Sequence, residues 1–171
     1  MNESQTRHDK IDPKLSEAGW GIVPGSKVLV EQSAYIAPGR ITTTGHKNPK
    51  KADYILEYKG IKLAVIEAKS DEKDSPTPHS VVKDVSEGVE QAKLYADALK
   101  IRFTYSTNGD EIYFIDMGIK NSKGEYIVPS KEDDINNFPS PQDLWQMTFP
   151  EENPLRDKFN LCALNRSGGR Q

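Results

Sequence analysis

The chain has 171 residues, enough for one domain with a substantial hydrophobic core and too few for two large ones. Its 23 Lys and Arg against 26 Asp and Glu give a net charge of −3, which excludes a strong overall basic field for binding nucleic acid. The single cysteine, Cys162, excludes an internal disulfide, and the three histidines share no metal-ligand spacing, which argues against zinc. No apolar run is long enough to cross a membrane and no signal-peptide pattern is present, so we expect a cytoplasmic protein.

The N-terminal part of the sequence predicts a flexible segment, a short helix and a strand. Residues 1–10 are polar and are expected to fray. A short helix is expected over residues 11–19, with Asp12 as N-cap and Pro13 at the first helical position. The alternation of apolar and polar residues over positions 28–36 predicts the first strand.

The loop that follows, residues 38–49, is polar and rich in Thr, Gly and Lys. Its Arg40, His46 and Lys47 could contact a phosphate backbone. Solvation of an ordinary surface loop explains these residues equally well.

Residues 51–70 predict a β-hairpin with charged groups in an apolar setting. The second strand is a nearly continuous run of β-branched and apolar residues, which is typical of a strand covered on both faces. Because side chains alternate along a strand, Glu67 and Lys69 point to the face that Leu63 and Val65 use to enter the core. A buried carboxylate there costs several kcal/mol unless it is paired or binds a metal.

The turn of this hairpin decides whether Asp53 joins Glu67. A two-residue turn would place Asp53 on the opposite face. A three-residue turn over residues 58–60, ending on Gly60 in a left-handed conformation, sets Asp53 opposite Val65 and diagonal to Glu67. We therefore predict the three-residue turn or an equivalent bulge, since diagonal neighbours lie close enough to share one cation.

Asp53, Glu67 and the main-chain carbonyl of Ala68 would form an oxygen-only site suited to Mg²⁺. Lys69, beside that ion, could take a proton from an attacking water or hold developing charge. Metal and lysine directed at one water are typical of phosphodiester hydrolysis. The alternative is a surface hairpin with solvated charges, because so short a pattern also arises by chance.

A long helix is predicted over residues 81–100, capped by Ser80. Gly88 in its middle indicates close packing against the sheet. Gln91 and Tyr95 stand four residues apart on one face and could reach the same ligand. A core tyrosine beside a surface glutamine is the alternative.

Two further strands are predicted over residues 102–106 and 111–117, joined by a turn containing Asn108-Gly109. The order of elements predicts an α/β fold with a mixed central sheet flanked by helices, and we assign residues 11–118 to this core. Residues 119–171 are expected to form an irregular extension that contains one short helix starting at Ser140-Pro141 and ends in a linker.

Asp53 followed by Glu67-Ala68-Lys69 at the end of an apolar strand resembles the core of the PD-(D/E)xK nuclease superfamily, although Ala52 stands where that family's proline would be. Gln91 and Tyr95 match the Q-x-x-x-Y motif in the nuclease domain of type I restriction enzyme R (motor) subunits. Further stretches that resemble this family are residues 18–20, 105–109 and 140–149.

The resemblance implies a restriction-endonuclease-like fold and assigns roles to particular residues. Asp53 and Glu67 would be metal ligands and Lys69 the catalytic lysine. Gln91 and Tyr95 would support the site and contact DNA. An acid of the first helix often leans toward the metal in this superfamily, and Glu17 is the candidate here, with a solvated helix acid as the alternative.

The resemblance also implies partners. They are double-stranded DNA, an ATP-driven motor domain following residue 171, and the methylation and specificity subunits of a holoenzyme. The cofactor would be Mg²⁺, with Mn²⁺ possible in its place, and ATP would serve only the full-length subunit because no G-x-x-x-x-G-K-[ST] motif occurs here. The alternatives are a catalytically silent DNA-binding or docking module, and a repair or recombination nuclease of the same superfamily.

Overall fold

A computed structural model describes residues 2–33, 51–70 and 80–151. Its helical segments are α1 (Glu3–Thr6), a π-helical turn (Arg7–Ile11), α2 (Asp12–Glu17), α3 (Ser80–Leu99) and α4 (Pro141–Thr148). Its strands are β1 (Ser26–Ser33), β2 (Lys51–Tyr58), β3 (Ile61–Ala68), β4 (Phe103–Thr107), β5 (Ile112–Asp116), β6 (Ile119–Lys120), β7 (Tyr126–Val128) and β8 (Lys131–Ile135). In this part of the chain, no helix is long and apolar enough to span a membrane.

Six strands form the main sheet in the order β1-β2-β3-β4-β5-β8, and β6 and β7 form a separate pair. β3 and β4 run parallel and the other neighbours run antiparallel. A parallel connection needs a crossover, which α3 provides by packing on β3 and β4. The predicted α/β fold with a mixed central sheet flanked by helices is confirmed.

The apolar residues form two clusters. The larger one combines the N-terminal helices, the sheet and α4, and its aromatic members include Trp20, Tyr54, Tyr105 and Trp145. The smaller one lies against α3 and consists of Ala52, Ile55, Val65, Tyr95 and Ile101, with Leu29 and Leu99 at its margin. Ile55 and Val65 are cross-strand partners on one face of the hairpin, and they pack against Tyr95 and Leu99 of α3. That face is therefore the one that α3 covers.

The N-terminal segment differs from its prediction. Helical structure begins at Glu3, where Asn2 and Gln5 form a reciprocal capping box, and continues through the π-helical turn into α2. The predicted helix over residues 11–19 is therefore the last part of a longer helical segment. Asp12 does not cap it, and instead accepts a 2.8 Å hydrogen bond from the Tyr54 hydroxyl on β2.

The hairpin was predicted to have a three-residue turn or an equivalent bulge, and the structure has the bulge. Lys59 and Gly60 both have positive φ (51° and 77°) and form a two-residue turn, with Tyr58 paired to Ile61. A bulge between Leu56 and Glu57 then shifts the register.

The pairing of Tyr54 with Ile66 places Asp53 opposite Glu67 rather than opposite Val65. Leu63, the extra residue of the bulge, packs in the larger cluster instead of sharing the Val65 face. The two carboxylates nevertheless share one face, as the parity argument required.

The long helix and the β4–β5 hairpin are confirmed, although α3 begins at Ser80, which was expected to cap it, and ends at Leu99. The turn between these strands uses Asn108, whose Oδ1 accepts from the main-chain N–H groups of Asp110 and Glu111, and Gly109 with φ 88°. These contacts connect β4 and β5 in antiparallel register.

The segment after Gly118 contains more regular structure than expected. β6 and β7 form a small hairpin, and β8 adds a sixth strand to the main sheet beside β5. The short helix predicted at Ser140-Pro141 is α4, capped by the Ser140 hydroxyl. The predictions for residues 34–36 of the first strand, for Arg40, His46 and Lys47, and for the C-terminal linker lie outside the described residues.

Candidate active site

The two acids of the candidate site lie where β2 and β3 face α3. Asp53 and Glu67 are each two residues beyond the Ile55–Val65 pair, so both point to the α3 face and stand opposite each other. The hairpin strands are central in the sheet, with β1 on one side and β4 on the other. Neighbouring strands therefore support both carboxylates.

Asp53 is held by two donors. Its Oδ2 accepts a 2.8 Å hydrogen bond from the Ala68 N–H, and its Oδ1 accepts a 3.1 Å bond from Arg7 Nη1. The Asp53 side chain is 13% exposed and that of Arg7 is 17% exposed. A charge-assisted pair at this depth fixes the carboxylate more firmly than an exposed pair would.

Within the described part of the chain, Glu67 is buried and accepts a hydrogen bond through only one of its two carboxylate oxygens. Its Oε1 accepts a 3.1 Å hydrogen bond from the Lys69 ammonium, whereas its Oε2 is buried without a hydrogen-bond partner among the described residues. Burial, and then the charge of Asp53, raise the pKa of Glu67 to about 7. A carboxyl in this state gains strongly from a cation that would compensate its ionised form.

Lys69 bridges the hairpin and the long helix. Its ammonium donates to Glu67 Oε1 and, at 2.7 Å, to Gln91 Oε1 on α3. The structure thus brings together Lys69 and Gln91, which the sequence had placed in one site. Two oriented acceptors hold the ammonium beside the carboxylate.

Tyr95 lies one helical turn beyond Gln91 and is buried in the smaller cluster. Burial raises its hydroxyl pKa above the ordinary value, and the charges of Glu67 and Asp53 raise it further. Tyr95 is therefore a neutral phenol close to both acids. This position fits both alternatives considered from the sequence, a core residue and a site residue.

Glu17 was the acid of the N-terminal helices expected to lie near the metal, and Glu3 is a second acid in these helices. Glu17 is exposed at the end of α2. Glu3, in α1, is close enough to contribute to the raised pKa of Glu67, as the smallest of its causes. The exposed position of Glu17 matches the solvated helix acid that was considered as the alternative.

Arg7 is the principal residue that sequence reasoning missed. It bridges Asp53 and Glu31, whose Oε1 accepts from Arg7 Nη2 at 3.1 Å, and its guanidinium lies 5.8 Å from the centre of the Tyr54 ring. One signal was available, because Arg7 stands four residues before the buried Ile11 and eight before the buried Leu15. The buried face of the N-terminal helices, marked by Ile11 and Leu15, could therefore have been predicted to include Arg7.

Gly88 explains how Lys69 fits against α3. A Cβ at this position would overlap Ser106 Oγ and would lie 2.9 Å from Lys69 Cε and 3.2 Å from Lys69 Cγ. The predicted close packing is confirmed. The absent side chain leaves the space along which the aliphatic part of Lys69 runs.

The donor set fits a hard divalent cation. Two carboxylates lie opposite each other, and one of them has a buried oxygen without a partner. Within residues 2–33, 51–70 and 80–151, no three or more His, Cys, Asp and Glu side chains gather in a way that could hold a metal. Two carboxylates with a main-chain carbonyl and water would thus be the expected ligands, as for Mg²⁺.

The family model described as "Type I restriction enzyme R protein N terminus" matches residues 40–123. The chain is 32% identical over 141 residues to the type I restriction enzyme EcoAI endonuclease subunit of Escherichia coli, a match covering 80% of this chain and 15% of that protein. A solved fragment assigned to the HsdR subunit of a type I restriction enzyme from Vibrio vulnificus YJ016 matches with a TM-score of 0.59 and 32% identity. That match covers 85% of this chain and 25% of the fragment.

The chain spans about a seventh of the curated relative and a quarter of the solved fragment. Both relatives are named as subunits of type I restriction enzymes, which are assemblies of more than one subunit. The family model covers β2, β3, α3, β4 and β5, the elements that carry most of the candidate site. The chain belongs to the type I restriction enzyme R protein family, as an N-terminal region of that subunit.

Proposed function

We propose that the chain is a metal-dependent DNA endonuclease domain that hydrolyses phosphodiester bonds. The observation that carries this proposal is Glu67, a buried carboxylate with one oxygen paired to Lys69 and the other without a partner among the described residues, opposite Asp53. A Lys and two acids so arranged are typical of hydrolysis at a metal-activated water.

Each residue has a distinct role in this proposal. Asp53 and Glu67 hold the cation together with the main-chain carbonyl of Ala68. Bound Mg²⁺ or Mn²⁺ would polarise the phosphate and favour ionisation of a water. As an ammonium, Lys69 would stabilise the developing charge. To take a proton from the attacking water it would first have to release one and act as a neutral amine, and Gln91 positions its nitrogen through the 2.7 Å bond in either role.

The remaining features are proposed by analogy with the family. We propose that the substrate is double-stranded DNA and that cutting follows translocation by a motor domain of the same subunit, which uses ATP. Methylation and specificity subunits would choose the DNA site. The cell compartment would be the cytoplasm, where that DNA is found. Tyr95, beside both acids, would support the site and the DNA contact.

Plasmid nicking in Mg²⁺ or Mn²⁺ tests the proposal, with Asp53→Ala and Lys69→Ala as variants. The expected result is cleavage by the native protein that both variants abolish while their circular dichroism spectra remain those of a folded protein. Gln91→Ala should reduce cleavage by a smaller factor, because it loosens Lys69 without removing the ammonium. Cleavage that survives Asp53→Ala would contradict the assignment.

A second function, a catalytically silent docking module, is favoured by one observation, the net charge of −3. Such a role should survive Asp53→Ala and Lys69→Ala. Calorimetric titration with Mn²⁺ separates the two functions even where nicking is weak. Binding that Asp53→Ala abolishes supports the endonuclease. Absence of binding both by the native protein and by Arg7→Gln, which lacks the cation paired with Asp53, supports the docking module.

A further inference from the structure

Arg7 occupies a position at the site that the proposed mechanism leaves unused. Its Nη1 lies 3.1 Å from Asp53 Oδ1 and its Nη2 lies 3.1 Å from Glu31 Oε1. Asp53 is the residue proposed to hold the cation, so a positive charge of the protein already contacts one of its oxygens. The two residues are 46 positions apart, and the contact is made by the fold rather than by local sequence.

Glu31 shows that the fold maintains this contact against a local cost. The β1–β2 ladder pairs Val30 with Tyr54 and Gln32 with Ala52, which sets Glu31 opposite Asp53. Its φ is +50°, while the other described non-glycine residues with positive φ, Lys59 and Lys100, lie at a turn and just after the last residue of α3. A left-handed conformation within a strand is unfavourable for a residue with a side chain, and it coincides with a Glu side chain that meets Arg7.

Arg7 therefore balances two acids that the sheet places side by side. A guanidinium donates through a planar fork and can serve two carboxylates at once. A divalent cation held by the Asp53 carboxylate would add two positive charges near the guanidinium, and like charges at this range repel strongly where water is largely excluded. Arg7 and the metal would thus compete for the negative charge of the same carboxylate.

We propose that Arg7 is a built-in competitor of the metal, which holds Asp53 in the metal-free protein and lowers the affinity of the site for divalent cations. The inference rests on the proposed function, because it takes Asp53 as a metal ligand. Metal binding would then weaken the contact of Arg7 with Asp53, and the second contact, with Glu31, would keep the guanidinium nearby. Arg7 acts through Asp53 and is a positioning residue.

The test is calorimetric titration of Mn²⁺ into the native protein, Arg7→Gln and Lys51→Gln, after removal of metal by chelation. Arg7→Gln removes the charge and keeps an N–H donor. We expect it to bind Mn²⁺ roughly ten-fold more tightly or better, from the loss of one close like charge. Lys51→Gln is the matched control. Lys51 Nζ lies 3.9 Å from Glu31 Oε2, so this substitution removes the same unit of charge beside the same acid. Its affinity should change by less than about three-fold, since it is exposed and screened.

A second measurement does not involve the metal. Thermal unfolding in chelator should show Arg7→Gln to be less stable than the native protein, and Mn²⁺ should raise its unfolding temperature more than that of the native protein. Arg7→Lys keeps the charge and should fold even if Arg7→Gln does not. A single ammonium bridges Asp53 and Glu31 less well, so its Mn²⁺ affinity should lie between those of the native protein and Arg7→Gln.

The outcomes separate the inference from the proposed function. Tighter binding by Arg7→Gln, or binding by Arg7→Gln where the native protein binds none, supports both. Binding by the native protein that Asp53→Ala abolishes and Arg7→Gln leaves equal or weaker would overturn the competition and leave the endonuclease proposal standing. No Mn²⁺ binding by any of these proteins would overturn both.

Discussion

The two sides of the hairpin β2–β3 are built on different principles. On one side, Tyr54, Leu56 and Ile66 join the larger cluster, in which aromatic rings meet edge to face, as Tyr58 and Trp145 do at 5.7 Å. On the α3 side, the apolar pair Ile55 and Val65 is followed, two residues along each strand, by the acids Asp53 and Glu67. One side gains its stability mainly from burial of apolar groups, and the other loses part of that stability to keep charged groups in place.

The largest effect is expected from a substitution on the apolar side. Phe103 is fully buried and stacks on Phe114 with ring centres 5.8 Å apart. Phe103→Ala should lower the free energy of unfolding by about 3–5 kcal/mol, measured by urea denaturation. Phe103→Leu is the control and should cost less than about 1.5 kcal/mol. If Phe103→Ala instead weakened Mn²⁺ binding and left the unfolding free energy unchanged, the apolar side would not be the source of stability that this comparison assigns to it.

The buried acid on the α3 side of the hairpin should make the free energy of unfolding depend on pH. The pKa of Glu67 is raised from 4.5 to about 7, so the folded state binds its proton more tightly than the unfolded state does. The contribution of Glu67 to stability is therefore full below pH 4.5 and is lost as pH rises to 7, by about 3 kcal/mol. The difference in unfolding free energy between the native protein and Glu67→Gln should change accordingly across this range. A flat difference would contradict the raised pKa.

Gly88 allows the comparison to be tested at the boundary between the hairpin and α3. Gly88→Ala should cost about 1–3 kcal/mol in the free energy of unfolding, because its Cβ would meet Lys69 and Ser106. The cost should be smaller when Lys69→Ala or Ser106→Ala is present, as measured by double-mutant cycles. Equal costs in all three backgrounds would mean that Gly88 does not shape the position of Lys69.

The smallest effect concerns the link between the N-terminal helices and the sheet. Tyr54→Phe removes the 2.8 Å hydrogen bond to Asp12 and should lower the free energy of unfolding by about 1 kcal/mol. Thermal or urea unfolding measures it. Asp12→Asn is a useful companion, since an amide oxygen can still accept from the hydroxyl. Its cost should be the lower of the two.

The sequence predicted those features that depend on periodicity or on short-range rules. Alternation placed Glu67 and Lys69 on one face, helical spacing placed Gln91 and Tyr95 together, and Ser140-Pro141 marked the start of α4. The contact of Lys69 with Gln91 joins two such predictions. The assignment of catalytic and metal-binding roles to these residues stays a prediction.

Other features depend on contacts that no local pattern contains. The bulge between Leu56 and Glu57 satisfies the demand that both acids face α3, although local rules favoured a three-residue turn. Arg7 lies in a polar segment whose order comes from tertiary contacts with Asp53 and Glu31. β8 consists mainly of exposed charged residues and is a strand because β5 offers an edge to pair with.

The candidate site draws on residues from positions 7, 53, 67 and 91, which meet only when the N-terminal helices, the hairpin and α3 are all in place. The pairing of β3 with β4 spans the whole of α3 and is therefore slow to form compared with local structure. During synthesis, a chain that has emerged only as far as the hairpin would have both acids and neither Gln91 nor Tyr95. The complete set of site residues would thus come together only after α3 has joined the hairpin.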